Sequence, residues 1–225
     1  MKQLLLDIRL PALPSLTNFV PGRNLELLQM LKRILQAQEK ERFVYIWGKI
    51  GCGKSHLLQA VVDFFIQRQC SAWYFPGEIT QEFRSTNDLR CVAIDDVEQL
   101  DEAAQIEMFG FYNQLRNDGN TFLLVSGSVA PSQLKLRQDL VTRLGWGLVY
   151  QVHELTEEEK IQALQNYAIE RGFNLKTEIC EYLLRHSQRD LPSLLMTVDA
   201  LDRYSLIHQR QITIPLLREL LQGIS

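Results

Sequence analysis

No apolar run in these 225 residues approaches the roughly 20 that a bilayer-spanning helix needs. The first residues also lack the basic-then-apolar order of a secretory signal, so a soluble, cytoplasmic protein with no membrane partner is expected. Cysteine is scarce. Cys52, Cys70, Cys91 and Cys180 stand far apart with no C-x-x-C, which excludes the common zinc spacings and offers no disulfide framework. The histidines, His56, His153, His186 and His208, fall singly on different segments, so no metal cluster is expected from them. An excess of positive charge is missing too. With 24 Lys and Arg against 27 Asp and Glu, the net charge of −3 argues against a dedicated DNA-wrapping surface, and no strong direct DNA binding is expected. There is no internal repeat and no low-complexity tract.

What is present centres on Gly48-Lys49-Ile50-Gly51-Cys52-Gly53-Lys54-Ser55. A short β-branched and aromatic run, Phe43 to Trp47, precedes it, and a Gly- and Pro-free segment with helical apolar spacing follows. G-x-x-x-x-G-K-S therefore sits where a phosphate-binding loop must sit, between strand and helix. Gly48, Gly51 and Gly53 let successive N–H groups turn inward around an anion, beside a helix N-terminus. Cys52 and His56 belong to the same candidate nucleotide site, Cys52 as a small filler and His56 beside the loop. Lys54 would reach the β- and γ-phosphates of ATP or ADP, and Ser55 would ligate Mg²⁺.

Strands and helices alternate from there. Helices are expected over about 24–38, with Asn24 as N-cap, then 54–68, 102–117 and 134–144. Strands are expected at 72–76, 89–96, 121–126 and 148–152. The strands are continuous apolar runs, which predicts an α/β fold with a parallel sheet covered by helices on both faces. In such a sheet the strand ending at Asp95 and Asp96 would lie next to the phosphate-loop strand. Asp95 is then the Mg²⁺-side carboxylate, and Asp96 would orient an attacking water. After Leu155 only helices follow, opened by the capping box Thr156-Glu157-Glu158-Glu159. The expected divisions are an N-terminal segment at 1–18, a nucleotide-binding domain at 19–154 and a helical domain at 155–225. The nucleotide should lie between the two domains, near Phe19–Gly22.

The phosphate loop, the apolar strand ending in Asp95-Asp96, Val125-Ser126-Gly127-Ser128 and Thr142-Arg143-Leu144-Gly145-Trp146-Gly147 together resemble the AAA+ module of the DnaA family of bacterial replication initiators. Within it, Leu195 to Arg203, the Gly145 to Leu148 turn and Ile212-Thr213-Ile214-Pro215 are most similar to the short Hda-type members, which lack DnaA's DNA-binding domain. The similarity runs over nearly the whole chain. It implies an AAA+ P-loop sheet followed by a helical lid. It also implies a regulator that, on the DNA polymerase sliding clamp, stimulates hydrolysis of the ATP held by a DnaA-type initiator. Arg143 matches the family's arginine finger, acting in trans. Gln3, Leu4, Leu6 and Ile8 match its clamp-binding peptide, with Asp7 as a departure. A homo-oligomer is compatible with the family.

Two further departures bear on intrinsic turnover. Ser128 stands where the family strand often ends in a sensor Asp, and Pro192 stands where DnaA-type helices place a sensor Arg. Arg189, three residues earlier, does not occupy the same helical spot. Stable nucleotide binding with weak intrinsic hydrolysis is the expectation. A self-sufficient AAA+ motor, such as a helicase loader, is the alternative.

Overall fold

In the computed structural model, residues 13–77, 88–188 and 190–224 are described. After helix α1 (Leu25–Leu35) the chain alternates β1 (Phe43–Trp47), α2 (Lys54–Ile66), β2 (Ser71–Phe75), β3 (Leu89–Ile94), α3 (Glu102–Asp118), β4 (Phe122–Gly127), α4 (Gln138–Leu144) and β5 (Leu148–Gln151). The pairings of these five strands are all parallel. The strands read as unbroken apolar runs because alternate side chains feed two different cores. Phe43, Tyr45, Val92, Ile94, Leu123 and Val125 pack on α3 and α4. Their neighbours Val44, Ile46, Ala93, Phe122 and Leu124 pack on α1 and α2. A strand buried on both faces has no polar side to show.

The strand order β2-β3-β4-β1-β5 corrects one expectation: β4, not β3, lies beside β1. Each of the six residues of β4 is buried, so it takes the central place that the carboxylate strand was assigned. The end of β3 therefore stands two strands, roughly 10 Å, from the phosphate-loop strand. That offset governs which aspartate can reach the loop.

Two local expectations also shift. Asn24 does not cap α1. Its side chain is buried and bonds both backbone groups of His153: Nδ2 donates to the carbonyl at 2.9 Å, and Oδ1 accepts from the N–H at 2.7 Å. It clasps the chain just after β5. The helix expected at 134–144 begins only at Gln138. Arg137 is extended there, its N–H given to Gln105 Oε1 at 2.9 Å and its guanidinium to Asp139.

Four helices follow: α5 (Glu157–Glu170), α6 (Thr177–His186), α7 (Leu191–His208) and α8 (Ile214–Ile224). The capping box forms as read, with Glu159 N–H donating to Thr156 Oγ1 at 3.2 Å and Thr156 N–H to Glu159 Oε2 at 2.8 Å. The described residues divide into two compact units, one within 14–163 and the other made of Leu13 with those of 164–224. The first turns of α5 stay with the sheet unit, where Leu155 and Glu159 crowd Gly22. In the second unit Leu183, Leu194, Val198, Leu201, Leu216 and Leu217 are among the buried positions. Asp199 there accepts from Tyr167 Oη and pairs with Arg171 at 3.0 Å. Among the described residues no helix is long and apolar enough to cross a membrane.

Candidate functional site

β1 ends at Trp47 and α2 begins at Lys54, so Gly48 to Gly53 form the turn at the C-terminal edge of the sheet. Gly51 and Gly53 have φ of +80° and +101°, in the left-handed region that glycine enters without a Cβ penalty. Gly48 is required for space: a Cβ there would stand 2.4 Å from the Val152 carbonyl oxygen. The loop is thus cut to a cradle that side chains would fill. Lys54 is buried, and its ammonium donates to the Gly48 and Lys49 carbonyls at 3.0 and 3.3 Å. Cys52 is buried against Gly48, and burial pushes its thiol up despite the nearby Lys54 charge. Ser55 is exposed in the first turn of α2. His56 turns away from the loop: Nε2 lies 3.0 Å from the Ser15 carbonyl, and its ring packs on Phe19. Phe19 in turn touches the loop, its Cε2 2.8 Å from where a Cβ on Gly53 would be. The donor set and the cradle fit the phosphates of a nucleotide.

The two aspartates separate sharply. Asp95 is buried, and hydroxyls occupy both its oxygens, Tyr74 Oη at 2.8 Å on Oδ2 and Ser126 Oγ on Oδ1. Burial, with the bond to Asp95, pushes the Tyr74 phenol up to about 12. Asp96 takes φ 45° and ψ 57°, donating its N–H to Ser126 Oγ at 2.9 Å. This left-handed turn, which aspartate tolerates better than most residues, leans it across β4. It brings Oδ1 to 4.0 Å from Lys54 Nζ. Asp96, rather than Asp95, is the carboxylate that faces the loop lysine.

Burial raises the Asp96 pKa, Asp95 adds to the rise, and Lys54 opposes it. A carboxyl whose folded pKa is raised favours folding while protonated. That contribution is complete below the ordinary carboxylate value near 4 and is lost as pH climbs through the raised value. Asp96→Asn should therefore be the more stable protein at pH 7, with the gap closing as pH falls below about 4. The gain stays below about 1 kcal/mol, because solvent screens a side chain that is 40% exposed. Thermal melts across pH 3–8 check it; a variant less stable at neutral pH would contradict the assignment.

Ser128 follows β4, exposed, and donates its N–H to Glu98 Oε1 at 2.7 Å. Pro192 sits in the first turn of α7, behind Asp190, whose carboxylate caps Ser193 N–H at 2.9 Å. Proline costs little at that position. Arg143 lies at the other edge of the sheet. It stands in the last turn of α4, and Gly147, four residues on, lies against the backbone of Phe43, the first residue of β1. The phosphate loop begins five residues later, roughly 16 Å along the strand. The guanidinium stacks 3.9 Å from the centroid of the half-exposed Trp146 ring. Among the described residues it makes no hydrogen bond or ion pair. Gln3, Leu4, Leu6, Asp7, Ile8 and Arg189 lie outside the described residues.

Gly48, Gly51, Cys52, Gly53, Lys54 and Asp96 thus come together, while Asp95 is bonded to Tyr74 and Ser126, His56 packs on Phe19, Ser128 N–H meets Glu98, and Arg143 stands at the other edge of the sheet. Tyr74, Ser126, Glu98 and Phe19 were not legible as site residues, since their contacts join distant segments. Phe19 alone carried a hint, standing in the stretch expected near the nucleotide.

Residues 157–221 match the family described as "Hda, lid domain". The chain is similar to domain III of the replication initiation protein DnaA from Thermotoga maritima (21% identity, TM-score 0.76). That match covers 95% of this chain and 98% of the other. It is also similar to AMPPCP-bound DnaA from Aquifex aeolicus, at 23% identity and TM-score 0.70, over 86% of this chain and 66% of that one. A RuvB variant from Thermotoga maritima follows at 16% identity and TM-score 0.70, covering 93% of this chain and 72% of that one. At these identities the solved structures establish a shared fold.

Proposed function

We propose, starting from a chain that is an Hda/DnaA-like AAA+ protein, that it is a nucleotide-bound regulator of replication initiation. It lends Arg143 to the ATP site of a DnaA-type initiator and so switches that initiator off. One observation carries this reading. Among the described residues the Arg143 guanidinium makes no hydrogen bond or ion pair, and it stands at the edge of the sheet opposite its own phosphate loop. A guanidinium so placed serves a second molecule's phosphates, where it offsets charge that develops during phosphoryl transfer.

The chain's own loop then has a structural task. Gly48 to Lys54 hold ADP or ATP, with the loop N–H groups on the phosphates and Lys54 moving from the carbonyls to them. The similarity to an AMPPCP-bound DnaA supports an adenine nucleotide. Mg²⁺ would be held by Ser55 with Asp96 or, through water, Asp95, and would neutralise phosphate charge. Pro192 brings no cation to the γ-phosphate and Ser128 brings no carboxylate, which supports weak intrinsic turnover. The domain boundary near residue 154 and the clamp-binding role of Gln3, Leu4, Leu6 and Ile8 belong to the same proposal. A short apolar peptide seated in a partner groove would hold the regulator at the sliding clamp.

The test is single-turnover hydrolysis of ATP bound to a DnaA-type initiator, with clamp and DNA, at increasing amounts of this protein. Stimulation that requires residues 1–8 is the expected result. No stimulation, with turnover near 1 s⁻¹ by the protein alone, would replace the regulator with a self-sufficient motor.

A further inference from the structure

Trp146 is 52% exposed, an uncommon state for the largest side chain. The turn that carries it is tied on both sides. Its backbone N–H donates to the Arg143 carbonyl at 3.1 Å, and the Gly145 N–H donates to the Val141 carbonyl at 3.2 Å, so the turn continues the end of α4. On the other side Gly147 is pressed on the Phe43 backbone and opens β5. The backbone that carries the indole is therefore held by the end of α4 on one side and by the start of β1 on the other. Arg143 Cζ lies 3.9 Å from its centroid, with the Phe109 ring 5.6 Å away on α3. A second cation, Arg116, stands 5.7 Å from the same indole and is tied to Tyr112 Oη at 3.2 Å.

This geometry has a specific consequence. Lying over a ring rather than against a carboxylate, the guanidinium makes no hydrogen bond or ion pair among the described residues, so the fork that recognises phosphate oxygens stays available. Arginine otherwise carries much rotamer entropy, which must be surrendered when the side chain is fixed on a ligand. The indole restricts the side chain before the partner arrives, and Arg116 blocks one flank with like charge. An exposed carboxylate would have held the arginine equally well but would have consumed the donors and the charge.

We propose that Trp146 is a positioning residue for Arg143, a platform that pre-orients the guanidinium for the nucleotide of the partner initiator. The inference rests on the function proposed above. A positioning role through the stack requires an aromatic face, not an indole as such, and it acts on the rate within the complex rather than on assembly.

The test compares wild type, Trp146→Phe, Trp146→Leu and Arg143→Ala in initiator-bound ATP hydrolysis, with side-chain NMR of the free protein. The Arg143 Nε–H resonance, identified by its loss in Arg143→Ala, should carry an aromatic ring-current shift that Trp146→Leu removes and Trp146→Phe partly keeps. Trp146→Leu should lower the plateau rate about three- to fivefold, the size of an exposed cation–π contact. Trp146→Phe should restore most of it, and the half-saturating concentration should stay within about twofold for both. A plateau unchanged in Trp146→Leu while Arg143→Ala abolishes it would overturn the proposal. So would a change confined to the half-saturating concentration, which would make Trp146 a partner contact, or an unshifted Arg143 resonance in wild type. If Arg143→Ala keeps full stimulation, the proposed function fails and the positioning role fails with it. The ring-current shift tells the two failures apart.

Discussion

Arg143→Ala should lower the stimulated hydrolysis of initiator-bound ATP by about 10³-fold or more, the range of arginine fingers supplied to another molecule's phosphate site. The loss is expected in the plateau rate, because the guanidinium acts on charge that appears only as the phosphoryl bond breaks. The rest of the molecule should hardly notice. The side chain is half-buried and makes no polar bond among the described residues. The stack on Trp146 is worth about 0.5–1 kcal/mol, which moves the melting temperature of a chain this size by about 1–4 °C. Nucleotide affinity of the protein itself should be unchanged, since β1 separates Arg143 from the phosphate loop. Three assays decide it: single-turnover initiator hydrolysis, thermal unfolding and nucleotide titration of the isolated protein. A loss under tenfold would remove Arg143 from the chemistry. A parallel loss of the protein's own nucleotide binding would show that the arginine serves its own loop.

The parts of this molecule that were legible in the sequence share one property: their determinants lie within a few residues of one another. Gly48 to Ser55 need only local backbone freedom and a helix start, and Thr156 with Glu159 need only one turn. The apolar runs of β1, β3 and β4 reported burial on both faces because each strand carries its own two-sided pattern. Strand order has no such local signature. β3 and β4 are both apolar and both end in polar residues, and the choice of neighbour for β1 rests on how whole faces pack. The different surroundings of the two aspartates are hidden in the same way. Seen along the chain, Asp95 and Asp96 differ by one position. In the fold, Tyr74 and Ser126, 21 and 31 residues away, take both oxygens of the first and leave the second to lean toward Lys54. Asn24 likewise looked like a cap by its neighbours and became a clasp through His153, 129 residues on.

Gly147→Ala should be among the most destabilising one-methyl changes in the protein, although nothing in its local sequence sets it apart from Gly145. A Cβ at Gly147 would stand 2.2 Å from the Phe43 carbonyl oxygen and 2.9 Å from its carbonyl carbon. Both are backbone atoms at the start of β1, so no side-chain rotation relieves the clash. Relief requires β5 to move off β1 where Leu148 meets Val44, or the Phe43 peptide to tilt beside Leu123 of β4. Overpacking usually costs about 1–3 kcal/mol, and a backbone-on-backbone clash belongs at the upper end, about 3 kcal/mol. For a chain of this size that lowers the melting temperature by about 6–12 °C. Gly110→Ala supplies the control of opposite sign. It lies inside α3 with nothing within 4 Å of its would-be Cβ, and losing a helix-interior glycine should add about 0.5–1 kcal/mol. The same methyl group thus destabilises at one glycine and stabilises at the other, and paired thermal melts read the difference directly. Because the turn that Gly147 anchors also carries Trp146 and Arg143, its alanine variant should lose stimulation of the initiator even below its melting point. Gly147→Ala melting with wild type would mean that the turn is not held against β1, and the rigid platform under Arg143 would lose its foundation.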